Sequence, residues 1–226
     1  MTKKQLLILL AAFVLIAGAL GGWLMFGSDL STDGGTAAGS GANAGYTLVP
    51  TDRGLGDPKA KVVLIEYGAS SCPVCAAFNA NTFDQFKKAY VDTGKVYYVF
   101  RQFLLRPDDG AAEKIARCLP EDKYFPFIDL LWRNQPLWDV EFGVTDVHGG
   151  LVRLGRMAGL SADQVDKCID NKSEDDRINK VQTEAESRYG VNSTPTFILN
   201  GNSIGSGALP FEQLSQALDA EIAKTK

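Results

Sequence analysis

The feature that most constrains this chain is Lys61-Val-Val-Leu-Ile-Glu-Tyr67, a short apolar run rich in β-branched residues, followed closely by Cys72-Pro-Val-Cys75. The run reads as a buried strand, introduced by the turn-like Gly56-Asp-Pro-Lys59. After the cysteines, Ala76, Phe78, Phe83, Phe86 and Tyr90 recur at near-helical spacing until Gly94. Lys95-Val-Tyr-Tyr-Val-Phe-Arg101 is a second strand. Strand, helix and strand in that order predict a right-handed crossover onto a parallel sheet, with the cysteine pair where the helix opens.

From Pro107 to Asn171 the pattern becomes helical, over Ala111 to Leu119, Tyr124 to Asn134, Gly150 to Ala158 and Ser161 to Asp170. Ser161 with Gln164 is a capping-box signature. A longer helix is predicted from Glu174 to Tyr189, stopped by Gly190. Strand grammar returns with Thr196-Phe-Ile-Leu199, the hairpin signal Asn200-Gly201 and a short strand near Ser203-Ile204. A last helix runs from Pro210 through Leu214, Leu218 and Ile222. The fold class is therefore α/β, with residues 51–106 and 172–226 forming one body and residues 107–171 a helical insertion.

The N-terminus addresses location. Lys3 and Lys4 precede 21 uncharged, apolar or small residues from Leu6 to Phe26, long enough to span a bilayer as a helix. The lysines should stay in the cytoplasm and send the rest of the chain across the membrane. Ala17-Gly18-Ala19 offers the rival reading of a cleaved signal sequence, which leaves a soluble exported domain. Residues 1–26 are thus read as an anchor or signal and residues 27–50 as a flexible linker. The stretch from Gly27 to Gly45 has Leu30 as its one large apolar residue and cannot bury enough surface to fold. A net charge of -4 gives no basic excess with which to hold nucleic acid.

Cysteines two residues apart at a helix start can bond to each other, and unpaired N–H groups there favour a thiolate at Cys72. Pro73 occupies a first-turn position where its missing N–H does no harm. Zinc would need a second close Cys or His pair, whereas Cys118 and Cys168 stand apart and His148 is the sole histidine. No metal is expected, and no cofactor beyond the Cys72–Cys75 disulfide itself. Glu66 leaves two readings open: a strand-end carboxylate reaching solvent or a lysine, or a buried acid serving Cys75. Pro195 follows Thr194 at the entrance of a strand, and the base rate for X–Pro bonds, about 5–6% cis, puts it trans.

Glu66-Tyr-Gly-Ala-Ser-Ser-Cys72-Pro-Val-Cys75-Ala-Ala-Phe and Val191-Asn-Ser-Thr-Pro195-Thr-Phe together resemble the DsbA family of periplasmic disulfide oxidoreductases, of alphaproteobacterial type, over residues 50 to 225. The resemblance implies a thioredoxin fold for the α/β body. It also implies that Cys72 is an exposed nucleophile, Cys75 its buried partner, Glu66 the acid beneath them and Pro195 a cis proline facing the disulfide. Backbone groups of Thr194 would pair with an extended substrate. Strong oxidants of this family commonly have His where this chain has Val74, which implies a less depressed Cys72 pKa and a less oxidising potential here.

In an oxidising compartment the remaining Cys118 and Cys168 are expected to pair, as in some DsbA-like relatives, the alternative being two buried free thiols. Phe125, Phe127, Trp132, Trp138 and Phe142 are read as packing, and His148 as a surface residue. The leading functional expectation is an oxidase that passes its disulfide to thiols of exported proteins. It would act as a monomer on the periplasmic face of the inner membrane and be reoxidised by a DsbB-like membrane protein. A reductase or isomerase, or a redox-inactive chaperone, are the competing expectations.

Overall fold

A computed structural model describes residues 46–225. The anchor-or-signal reading of residues 1–26 and most of the linker lie outside the described residues. Among those described, no helix is long and apolar enough to cross a membrane. The five strands are β1 (Arg53–Leu55), β2 (Val62–Gly68), β3 (Val96–Gln102), β4 (Thr196–Leu199) and β5 (Asn202–Ser206), in the spatial order β1-β3-β2-β4-β5. β2 and β3 run parallel, as the crossover predicts, and the other neighbours are antiparallel.

The pleat divides β2 between two cores. Val62 and Leu64 pack with Tyr98, Phe100 and Phe197 against the helix that opens at the cysteines. Val63, Ile65 and Tyr67 face Val181 and Ala185 of the long return helix. Period-two alternation on a strand covered on both sides is why the run is apolar throughout. Helix α1 begins as Pro73–Phe78 and continues through wide π-type turns at Asn79–Phe83 and Lys87–Val91, on either side of Asp84–Phe86.

The insertion holds α2 (Pro107–Cys118), α3 (Glu121–Arg133), α4 (Val147–Met157) and α5 (Ala162–Ile169), with short 3-10 turns at Gln135–Leu137 and Val140–Phe142. The return helix α6 (Lys172–Tyr189) ends on Gly190 at φ 64°, and α7 (Phe211–Ala223) closes the described chain. Ser161 and Gln164 form the reciprocal cap the sequence signals. Asn200 and Gly201 both take positive φ in the β4–β5 hairpin.

Three expectations need correction. Strand β1 was not foreseen: it is three residues long and includes Gly54, where a Cβ would stand 2.2 Å from the Tyr97 ring, so no alternation exists to read. The linker cannot extend to residue 50, because Tyr46 and Leu48 pack on the α6 side of the sheet and Arg101 donates to the Thr47 carbonyl at 2.7 Å. Phe142 is 49% exposed and is not packing, unlike the buried Phe127, Trp132 and Trp138.

Candidate active site

Cys72 is the N-cap of α1, with extended backbone at φ -80° and ψ 117°, and its Sγ accepts a hydrogen bond from the Cys75 N–H at 3.2 Å. Pro73 takes the first helical turn. The sulfur therefore lies against the N–H groups that α1 leaves unpaired, where negative charge is favoured. Both Cys72 and Cys75 are free thiols.

The two sulfurs are electrostatically unlike. The Cys72 thiol is lowered from 9.0 to about 6, chiefly by its hydrogen bond with the Cys75 side chain, with smaller help from Thr194 and from the backbone of Cys75 and Val74. Cys75 is pushed well above its ordinary value, first by burial and then by Cys72 and Glu66. At neutral pH one sulfur is an anion and its neighbour holds a proton.

The resemblance implies an exposed Cys72, yet the residue is only 3% exposed. The reason is the loop before β4. The Thr194–Pro195 bond is cis, and the Thr194 carbonyl oxygen lies 3.4 Å from the Cys72 sulfur and covers it. The cis bond follows the resemblance and departs from the base rate. Solvent meets Pro73 and Val74 instead, Val74 being 42% exposed. The Thr194 hydroxyl is buried with no oxygen or nitrogen partner, which leaves it free to donate to a Cys72 thiolate.

Glu66 is buried, at 0% exposure, and so does not reach solvent. It shares the pleat face of Val62 and Leu64, so the strand aims it towards α1 and the cysteines. One carboxyl oxygen accepts from the Tyr98 hydroxyl at 2.8 Å, and the other has no partner. Burial raises its pKa from 4.5 to about 8, opposed by the Tyr98 hydrogen bond and assisted by Cys72. The group is a neutral acid at pH 7.

Tyr98 was missed in the sequence. Parallel register sets Leu64 beside Tyr98 and Glu66 beside Phe100, so the phenol reaches diagonally along one face to the carboxyl. Only the register between two strands reveals it, with the two hydrogen-bonded residues 32 apart in the chain; composition gives no sign. Gly68 is next along that face, and a Cβ there would come within 3.1 Å of the unpartnered Glu66 oxygen and 2.6 Å of the Phe100 ring. Cys118 and Cys168 form a disulfide with Cα atoms 5.9 Å apart, so neither is available to a metal. His148 stays on the surface beside Asp166, 2.8 Å away.

A thioredoxin family model matches residues 48–220. A Rickettsia bellii protein named as a protein-disulfide oxidoreductase is 29% identical over 80% of this chain and 68% of its own length. The chain spans about two thirds of the length of the Rickettsia relatives it matches. Among solved structures, Wolbachia pipientis alpha-DsbA1 is 28% identical with a TM-score of 0.70, covering 78% of this chain and 94% of that one. Oxidised BdbD of Bacillus subtilis, at 20% identity and a TM-score of 0.69 over 79% of this chain and 97% of that one, shares the fold. A buried acid beside an asymmetric cysteine pair, a cis Thr194–Pro195 bond whose Thr194 carbonyl lies against the first sulfur and these likenesses converge: the chain belongs to the thioredoxin family and is DsbA-like.

Proposed function

We propose that this chain is an extracytoplasmic thiol–disulfide oxidoreductase that oxidises thiols of exported proteins through Cys72 and Cys75. The observation that carries the reading is the split between the two sulfurs, Cys72 at about 6 and Cys75 held protonated above a neutral Glu66.

In the oxidised enzyme a substrate thiolate attacks Cys72 Sγ, the Cys72–Cys75 bond breaks, and Cys75 departs as a buried thiolate. Glu66, protonated at pH 7, supplies its proton. A second substrate thiolate then attacks the substrate sulfur of the mixed disulfide and expels Cys72, which leaves readily because its thiolate is stabilised. The substrate loses two electrons, the enzyme pair gains them, Cys75 ends as a thiol and Cys72 as a thiolate, and Glu66 recovers a proton from solvent, into which the substrate thiols released theirs. The stable Cys72 anion favours the reduced enzyme and so drives substrate oxidation.

Val74 supports a milder oxidant than a strong member of the family, since an exposed valine offers Cys72 neither charge nor a side-chain donor. A Cys72 value of about 6 lies between the thioredoxin figure of about 7 and the DsbA figure of about 3.5. Reductase is accordingly the second reading. Residues 1–26 would hold the domain at the periplasmic face of the membrane, near a DsbB-like protein able to reoxidise it. Equilibration with glutathione buffers gives the test. A potential above about −200 mV is expected, and one near the thioredoxin value of about −270 mV overturns the oxidase direction. Cys75→Ala should accumulate exported proteins as mixed disulfides on Cys72.

A further inference from the structure

The segment Ala69–Ser71 between β2 and α1 supports both sulfurs. The Cys72 N–H donates to the Ala69 carbonyl at 3.1 Å, and the backbone of Ala69 hydrogen-bonds the Cys75 sulfur. The three residues are almost wholly buried, at 0%, 0% and 1% exposure, so each of their polar groups needs a partner from the protein. Most of those partners come from the helical insertion. Trp132 Nε1 donates to the Ala69 carbonyl at 3.0 Å, and Gln135 Nε2 to the Ser70 carbonyl at 3.0 Å. Asp109 accepts from the Ser71 N–H at 2.8 Å and from the Ser71 hydroxyl at 3.1 Å. On the sheet side, Ser70 donates to Gln102 at 3.1 Å.

Helix capping accounts for only part of this. Asp109 also accepts from the Leu105 and Arg106 N–H groups at 3.0 Å each, which is ordinary service at the start of α2. The bonds to Ser71, and those of Trp132 and Gln135, serve no element of the insertion. All three side chains are nearly buried, at 0%, 7% and 3% exposure, and all converge on the residues immediately before Cys72.

We propose that Trp132, Gln135 and Asp109 are positioning residues for the redox pair, and that the insertion grips Ala69–Ser71 to hold the N–H groups of α1 aligned on the Cys72 sulfur. The inference rests on the reading of Cys72 and Cys75 as the exchanging pair. Hydrogen bonds to an anion weaken steeply as they bend, so a loosened loop lets the thiolate lose its donors without loss of the fold.

The test uses neutral substitutions, because removing the Asp109 charge would itself disturb a nearby thiolate. Trp132→Phe with Gln135→Met keeps both sites apolar or uncharged and deletes both donors. Gln135→Met is close to volume-conserving, whereas Trp132→Phe also removes part of the buried indole, so Gln135→Met is measured alone beside the pair. Thiolate absorbance should then show the Cys72 titration displaced upward by about one unit. Exchange with a small disulfide at pH 6 should slow about twofold, the roughly fivefold fall in thiolate fraction being partly offset by the greater nucleophilicity of a more basic thiolate. Cys118→Ala with Cys168→Ala is the control, since it weakens the insertion and leaves the grip intact; its Cys72 titration should match the wild type. The proposal is overturned if the folded double variant titrates and reacts as the wild type does, or if the control shifts equally. Should the double variant not fold, Gln135→Met alone carries the same expectation in smaller measure. A wild-type protein inert to small disulfides sinks the functional reading itself, whereas an active wild type with unshifted variants sinks only the grip.

Discussion

The two cysteine pairs of this chain occupy opposite ends of helices. Cys72 caps the start of α1, while Cys118 is the last residue of α2 and Cys168 the last but one of α5. A helix start presents N–H groups and favours a thiolate; a helix end presents carbonyls and does not. The first pair is therefore primed to exchange and the second is placed where exchange has no electrostatic help. Residue type is the same in all four cases, so helix polarity and surroundings decide which sulfurs do chemistry and which brace the insertion across 50 residues.

The largest effect that could break this comparison is at Cys72. Cys72→Ser should lower disulfide exchange with a reduced peptide by more than about a thousandfold, because no other sulfur beside the cis proline can take its place. Exchange that persists would mean that the second pair, or no pair, is the working one, and would favour a redox-inactive chaperone. Conversely, Cys118→Ala with Cys168→Ala should leave exchange within a few-fold. It should cost up to about 4 kcal/mol of stability in the loop-entropy account, read from urea unfolding.

Glu66→Gln sharpens the contrast at intermediate size. A folded-state pKa raised from 4.5 to about 8 means that the native acid keeps a proton which the unfolded chain releases. Its contribution is fully present below pH 4.5 and is lost as pH rises towards 8, so burial of Glu66 destabilises the native state by roughly 3 kcal/mol at pH 7. Glu66→Gln should therefore stabilise the protein at pH 8 and hardly at all at pH 4, seen as a change in the slope of Tm against pH. The same variant should slow the step in which Cys75 leaves, since it removes the proton donor. An unchanged slope would contradict the burial of that charge.

Tyr98→Phe is the smallest and most specific. It keeps the ring contacts with Phe83, Phe86 and Phe125 and deletes the donor to Glu66. The carboxyl should titrate higher by about one unit, the worth of one hydrogen bond to a charged group. Carbon-13 NMR of labelled Glu66 reads this directly, and a carboxyl that does not move shows that the phenol has no hold on it.

Much of this site could be read locally. A β-branched run, a Cys-x-x-Cys and an apolar helical period are each set by neighbours a few residues away, and with them came the strand, the helix start and the crossover. Ser161 with Gln164, and Asn200 with Gly201, were legible for the same reason: a cap and a tight turn are closed by adjacent atoms. Strand β1 and the ordered Tyr46–Leu48 were not, because Gly54 fits under the Tyr97 ring and Arg101 collects Thr47 through contacts some 50 residues distant in the chain.

What the sequence determined by itself was thus the chemistry on offer: two thiols at a helix start, a carboxyl on the strand before them and a proline ahead of a later strand. Tertiary structure decided how that chemistry is used. Register gave Glu66 its phenol, the Thr194 loop covered Cys72, and the insertion took hold of Ala69–Ser71. Burial between segments far apart in the chain depends on the closed fold and pushes the Glu66 carboxyl up by an amount that no local pattern encodes, whereas the Cys72 thiol is lowered chiefly by its near neighbour Cys75, with Thr194 adding to it across the fold.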